Sequence, residues 1–384
     1  MIGISSAFDG GHIDIIDASD PDDIRLALAN DNASDFKQWF YFRLTGGRDR
    51  ACTIRIVNAE DANTSRDLVG MPAPWADYQA VASYDREAWL RVPTALEGDA
   101  LTIRLTPKRD SIYIAAFAPY PLERQYQLTD RALKSPRASL TVLGQSVEGR
   151  DIDMLQFGSP GPNKRACWIT TRQHPNETMG PFCVEGIVDR LIDPDDPLAR
   201  ALLDRAVFYV APNLNPDGSI RGNTRTNAAG INLNRVWSDP SMATSPEIHL
   251  VRAAMHETGL DWSLDVHGWN GTHNFLGGPL GLPSLTDKQT ALWKRYEAAL
   301  AQANPDFEVG WPYPGGGPGP GEADLSMSWN YLGEAFDAVA LLYELLFKDT
   351  AKTPDPLHGW SPARSYQFGL STLDALYAII DDLR

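Results

Sequence analysis

A histidine and a carboxylate stand three positions apart in Arg172-Gln173-His174-Pro175-Asn176-Glu177-Thr178-Met179-Gly180, directly after the uncharged, largely apolar run Ala166-Cys167-Trp168-Ile169-Thr170-Thr171. An imidazole nitrogen and a carboxylate oxygen are both ligands that zinc accepts. A catalytic zinc takes three protein ligands and keeps one position open for water. The stretch supplies two, and an H-x-x-E pair by itself is common by chance. The metal reading therefore depends on a third ligand elsewhere in the chain.

His267 is the best third ligand. It follows an apolar stretch in Asp265-Val266-His267-Gly268, where Gly268 leaves room beside it and Asp265 is near enough to hold its surroundings. A lone histidine here would read as a hydrogen-bonded core residue; the His174–Glu177 pair makes it a ligand. His273 is the only other histidine close enough to compete, and His12, His249, His256 and His358 lack such placement. Hydrolysis also needs a group that moves a proton. Glu344 interrupts the apolar run Ala338-Val339-Ala340-Leu341-Leu342-Tyr343 before Leu345-Leu346-Phe347. A carboxylate in such a run is costly unless it is paired or working. A salt bridge to a buried arginine is the bland account; the reading adopted is general base. A third cluster, Arg221-Gly222-Asn223-Thr224-Arg225 and Ile231-Asn232-Leu233-Asn234-Arg235, puts guanidinium forks near these groups. Such forks suit carboxylates and oxyanions. Arg221 reads as surface charge.

These residues need a frame that brings them together. Alternating, turn-punctuated segments at 12–16, 38–44, 52–57, 78–84, 101–105 and 112–117 predict an antiparallel β-sandwich. The aromatic block Trp39-Phe40-Tyr41-Phe42 reads as core plus domain contact. Residues 119–127 read as a link. Beyond it, 139–143 and 152–157 form a hairpin around a long turn. Strands then alternate with helices: strands at 167–171, 207–211, 262–266 and 338–343, helices at 179–192, 197–205, 246–257, 287–302 and 362–383. Continuously apolar strands such as Val207-Phe208-Tyr209-Val210 imply cover on both faces. In such a sheet, ligands lie beyond the carboxyl ends of the strands. His174-Pro-Asn-Glu177, Asn213-Leu-Asn215-Pro-Asp217-Gly218, Asp265-Val-His267-Gly268 and Glu344 all follow predicted strands, so four polar clusters gather at one edge. The run Gly310-Trp311-Pro312-Tyr313-Pro314-Gly315-Gly316-Gly317 is a surface loop.

With 384 residues and 43% hydrophobic content, two globular domains are expected. The formal net charge of −16 opposes nucleic acid and a polybasic membrane contact as partners. Cys52, Cys167 and Cys183 are odd in number and widely spaced, and two of them sit in apolar surroundings and read as buried thiols, which points to a reducing compartment. The acidic stretch 1–20 is not a signal peptide and no apolar run spans a bilayer, so a cytoplasmic location is expected.

Taken in order, His174-x-x-Glu177, the Asn215-Pro216-Asp217-Gly218 turn, Arg225, the Asn234-Arg235 pair, His267 and the late Glu344 resemble the zinc metallocarboxypeptidase family, from residue 139 to the C-terminus. Trp39-Phe-Tyr-Phe42 and Gly144-x-Ser146-x-x-Gly149-Arg150 look like its cytosolic carboxypeptidase branch. The ordered set is specific; no single piece is. The resemblance implies an α/β fold: a mixed-sheet α/β/α zinc carboxypeptidase domain at 121–384, preceded by a small antiparallel β-sandwich domain at 1–120. It implies one Zn2+ per chain on His174, Glu177 and His267, and Arg225 polarising the scissile carbonyl and holding its oxyanion. Asn234 and Arg235 would grip the terminal carboxylate of a peptide or protein tail, and Glu344 would act as general base and acid. Asn232 departs from the pattern, since many members carry aspartate there, and this weakens a contact to a zinc histidine. Tyr313 and Tyr331 are both candidates to close over substrate. The pocket for the last side chain is expected between His273 and Phe336. Lys288, Lys294 and Arg295 fall on a predicted helix and read as solvated, so glutamate preference has no support. Competing readings are an N-acyl amino acid amidohydrolase of the aspartoacylase type and a catalytically silent peptide-binding module. The β-rich leading domain and the Asn-Pro-Asp-Gly turn favour the peptidase, and the complete set with Glu344 speaks against the silent module.

Overall fold

Strands that are apolar on every residue need cover on both faces, and the computed structural model supplies it. It describes residues 1–64, 73–311 and 314–383. A seven-stranded mixed sheet is built from β1 (Ala138–Gln145), β2 (Asp151–Phe157), β3 (Arg165–Thr171), β4 (Ala206–Ala211), β5 (Trp262–Trp269), β6 (Phe275–Gly277) and β7 (Val339–Leu346), in the order β1-β2-β4-β3-β5-β7-β6. The four inner strands β4, β3, β5 and β7 are parallel, while β1, β2 and β6 run antiparallel to their neighbours.

Successive side chains go to opposite layers. Cys167 and Ile169 enter one core with α2 (Met179–Ile192), α6 (Asp287–Ala303) and α8 (Pro362–Tyr377). Trp168 enters the other, with α5 (Pro246–Thr258) and α7 (Ser328–Phe336). Leu341 and Tyr343 against Ala340 and Leu342 divide the same way. Each such buried aliphatic or aromatic side chain contributes about 1.5–3 kcal/mol.

The leading region holds two five-stranded sheets. Strands Gly3–Ser5, Tyr41–Thr45, Ser111–Ala115, Val81–Ser83 and Leu90–Arg91 make one; Asp14–Asp17, Ile24–Ala27, Cys52–Ile56, Ala100–Leu105 and Thr94–Glu97 make the other. Pairing is antiparallel except between Ile24–Ala27 and Cys52–Ile56, which run parallel. All four residues of the aromatic block are buried, and all three cysteines are buried and free.

Several boundaries differ from expectation. Residues from Leu122 to Leu133 form helix α1, so the link is shorter than 119–127. β5 and β7 run past 266 and 343, because Gly268 and Trp269 keep pairing with Leu345 and Leu346. His267 and Glu344 thus sit inside strands rather than after them. The last helix stops at Tyr377 and yields to a 3-10 turn, Ile380–Asp382. Gly310, Trp311, Gly315 and Gly316 are exposed, as a surface loop requires.

Candidate active site

β3 ends at Thr171, and the chain breaks direction at once: Arg172 is a non-glycine residue at φ 65°. Such conformations cost free energy and persist only where surroundings impose them. Here the buried guanidinium does so, with Nε donating to the Pro175 carbonyl at 2.6 Å and an Nη to the Tyr120 carbonyl at 3.0 Å. Burial lowers its pKa to about 10. The turn lifts His174 and Glu177 over the strand ends before α2 begins.

On the neighbouring strand His267 lies at the register position opposite Glu344 of β7. His174 Nδ1 is 2.8 Å from Glu177 Oε1, His267 Nδ1 is 2.8 Å from Glu177 Oε2, and the two Nδ1 atoms are 3.1 Å apart. Three donor atoms from two strand ends converge on one point, all buried, and these three residues form a group able to hold a metal ion.

The far side of each ring sets its tautomer. Asn232 Oδ1 accepts the backbone N–H of Asn234 at 3.0 Å, so it is an acceptor, and His174 Nε2–H donates to it at 3.1 Å. His267 Nε2–H donates to Asp265 Oδ2 at 2.8 Å. Both Nδ1 lone pairs then face inward, as metal ligation demands. Asp265 is itself fixed by Thr170, Gln173 and Ser328, and Gln173 by the Trp237 indole at 2.9 Å. Burial and the Arg225 charge lower the His174 pKa to about 4. Burial disfavours a charged His267 too, yet the Asp265 and Glu177 carboxylates outweigh it and hold that ring well above its ordinary value. The same carboxylates that favour a proton there favour a cation at its Nδ1. Burial alone would raise Glu177, but the two histidines hold it well below the carboxylate range.

The pair of partners is unequal: a neutral amide behind His174, a carboxylate behind His267. A carboxylate in place of Asn232 would raise the basicity of His174. Asn232→Asp is expected to bind zinc more tightly, by about tenfold on the scale of partners behind metal ligands. Competition with a chelator of known affinity measures this, and unchanged or weaker binding would refute it.

Around the triad, one pocket is lined by Arg225, Asn234, Arg235 and Glu344, and by Gln38, Thr64, Trp269, Asn270, Met327, Trp329 and Phe347. Glu344 Oε2 is buried with no hydrogen-bond partner among the described residues. Burial, with the nearby Glu177 and Asp265 charges, pushes its carboxyl up to about 8, against the pull of His267 and Arg225. The Asn234 carbonyl oxygen of the side chain accepts the Ser328 N–H at 2.8 Å, and its main-chain carbonyl accepts from Arg235 at 2.7 Å. The pair is thereby held at the pocket wall.

The Asn215-Pro216-Asp217-Gly218 turn is scaffolding. Asn215 caps α4 (Pro216–Arg221) by accepting from Gly218 and donates to the Gln173 carbonyl at 3.0 Å. A Cβ at Gly218 would come within 2.5 Å of the Thr226 carbonyl oxygen, so only glycine lets the Arg225 loop lie this close. Asp217, fully buried, accepts from Ser146, Arg150 and the Glu148 N–H. That is the task of the Ser146-x-x-Gly149-Arg150 hairpin. Arg221 pairs with Glu148 at the surface, as expected.

The other candidates that the structure describes stand outside the triad. His273 stacks on Trp311 at 3.7 Å and is outside the triad. Tyr331 meets His256 at 3.0 Å and does not line the pocket; Tyr313 lies outside the described residues. Phe336 packs on His256, so the expected His273-to-Phe336 wall reduces to Met327 and Trp329. Lys294 and Arg295 pair with Glu297 and Asp382, away from the site. Sequence reasoning missed Gln38, whose side chain donates to Asn270 Oδ1 at 2.9 Å. Its only signal was an amide at the head of the aromatic block.

A buried two-histidine, one-carboxylate set, with a glutamate across from it and arginines alongside, is the equipment of a metal-dependent hydrolase. Comparison with known proteins narrows that class. The family model for the cytosolic carboxypeptidase N-terminal domain matches residues 4–117, and that for zinc carboxypeptidase matches 126–274. A metallo-carboxypeptidase from Burkholderia cenocepacia is 41% identical, covers 100% of both chains and superposes with a TM-score of 0.93. One from Pseudomonas aeruginosa, solved with (2-guanidinoethylmercapto)succinic acid, is 39% identical over 100% of both chains with a TM-score of 0.94. Cytosolic carboxypeptidase 6 of Homo sapiens is 30% identical over 294 residues, 68% of this chain and 56% of that protein. The chain belongs to the zinc carboxypeptidase family. It is a zinc-dependent exopeptidase acting on peptides, and nothing in the comparisons favours the amidohydrolase or the silent module.

Proposed function

We propose that this chain removes the C-terminal residue of peptides and protein tails in the cytoplasm, with His174, Glu177 and His267 holding the zinc. The observation that carries the ligand assignment is the convergence of His174 Nδ1, His267 Nδ1 and the Glu177 carboxylate, with each ring's other nitrogen already engaged. Bound there, zinc supplies a Lewis acid and lowers the pKa of a water. Glu344 takes the proton of the attacking water and returns it to the leaving amine. Arg225 directs its guanidinium at the scissile carbonyl oxygen and holds the charge that develops on it. Asn234 and Arg235 hold the free terminal carboxylate and thereby select the last peptide bond. The cytoplasmic assignment is supported by three buried, free cysteines and by relatives named as cytosolic. No helix among the described residues is long and apolar enough to cross a membrane.

Blocked peptides with a free C-terminus are expected to release one amino acid at a time. C-terminally amidated analogues should fall about 10–100-fold in kcat/KM, the worth of one charged hydrogen-bonded contact. N-acetyl amino acids should stay intact. Release of internal fragments, or equal rates on amidated peptides, would refute the reading.

A further inference from the structure

Asp31 lies in the leading β region, yet among the described residues every hydrogen bond its carboxylate makes goes to the loop that carries Arg225. Oδ1 accepts the Thr224 N–H at 2.5 Å. Oδ2 accepts the Arg225 N–H at 2.7 Å, the Thr226 N–H at 2.9 Å and the Thr226 hydroxyl at 3.1 Å. Three consecutive backbone donors therefore close on one carboxylate that is 2% exposed.

The neighbouring residues repeat the pattern. Gln38 and Trp39 donate their N–H groups to Thr224 Oγ1 at 2.8 and 3.0 Å, and Asn32 donates to the Ala228 carbonyl at 2.7 Å. The Arg225 guanidinium lies over the Phe36 ring at 5.7 Å. Between the left-handed cap at Gly222 and the turn at Asn232, the only ladder pairing among the described residues is one isolated antiparallel bridge, Thr226 with Asn232, and it lies beyond Arg225. The backbone N–H groups of Thr224, Arg225 and Thr226 are held by a carboxylate about 190 positions away in sequence. Charge-assisted bonds to a buried acceptor are the strong kind.

We propose that Asp31 is a positioning residue for the carbonyl-holding step: by gathering the N–H groups of Thr224, Arg225 and Thr226 it fixes where the Arg225 guanidinium enters the pocket. The leading β region is then part of the catalytic apparatus. The inference rests on the reading of Arg225 as the group that holds the carbonyl oxygen. Misplacement of a catalytic group by about 1 Å costs roughly 10²-fold, so the effect belongs in kcat.

A double-mutant cycle on the full-length zinc-loaded chain separates the possibilities. Asp31→Asn, Arg225→Ala and the double variant are compared with the parent on a blocked peptide with a free C-terminus, with zinc content and melting temperature measured alongside. The expected result is a fall in kcat of about 10–100-fold for Asp31→Asn, with KM within about twofold and zinc retained, and no further fall when Asp31→Asn is added to Arg225→Ala. An equal fall in both backgrounds would make Asp31 a general structural support and overturn the proposal. An unchanged kcat in Asp31→Asn would overturn it as well. Full activity in Arg225→Ala alone would remove the reading of Arg225, and the proposal with it. If Asp31→Asn loses zinc or its melting transition, Asp31→Glu, which keeps the charge but displaces it, enters the same cycle under the same criteria.

Discussion

Glu344→Gln is expected to lower kcat by about 10²–10⁴-fold, the range supplied by a positioned proton-transfer group, while one zinc per chain remains bound. The substitution keeps the size of the side chain and removes its capacity to take a proton. Glu344 stands opposite His267 in the β5–β7 register but is outside the group that can hold the metal, so zinc content has no reason to change. Its buried Oε2 has no hydrogen-bond partner among the described residues. Its carboxyl, pushed up to about 8 by burial, is largely neutral already, and an amide of the same size is neutral too. The melting temperature of the variant should therefore stay close to that of the parent. A loss of activity caused by misfolding would lower it, which separates the two explanations. Metal analysis, steady-state kinetics and thermal melting on the same preparations give the answer. Near-normal turnover would take Glu344 out of the mechanism, and loss of zinc would make it a ligand.

How far these groups could be read from the residues alone depended on how local their signals were. His174 and Glu177 share one turn, so spacing alone paired them. His267 and Glu344 were visible as polar breaks in apolar runs, yet the ends of those strands were placed too early. Gly268 and Trp269 on one strand and Leu345 and Leu346 on the other carry the pairing onward, past the polar residues at which the apolar runs break. The gathering of four strand ends followed from parallel pairing, which apolar strands and intervening helices had already implied. Asn232 read as a weakness because an amide replaced a carboxylate, but the structure shows that it still accepts from His174. Asp31 and Gln38 were out of reach. An aspartate in a short polar loop carries no periodicity and no motif, and an amide at the head of an aromatic block does not say what it faces. Their role exists only once the leading β region docks on the Arg225 loop. The Ile24–Ala27 strand, and with it the parallel pairing to the expected strand at 52–57, escaped for a related reason: four residues of alternating burial, IRLA, are too few to show a period.

Removing His267 tests the metal centre itself. His267→Ala deletes one of three donor atoms, and the loss of zinc affinity should exceed the roughly 10–100-fold that partners outside the ligand set typically cost. Hydrolysis should fall to background at zinc concentrations that saturate the parent. The fold should persist. His267 sits inside a strand that stays paired with β3 as far as Val266 and with β7 as far as Trp269, and Asp265 keeps its bonds from Thr170, Gln173 and Ser328. Linkage adds a second readout, because a ligand that binds the folded chain stabilises it by about 2.7 kcal/mol at a hundred times its Kd. A chelator should thus lower the melting temperature of the parent and leave that of His267→Ala unmoved. Restoring zinc should return activity to the parent alone. His273→Ala is the control, since His273 stacks on Trp311 and is outside the triad; it should keep both its zinc and its response to chelation. If His267→Ala bound zinc as the parent does, or if His273→Ala lost it, the ligand set would have to be reassigned and the geometry around Glu344 and Arg225 with it.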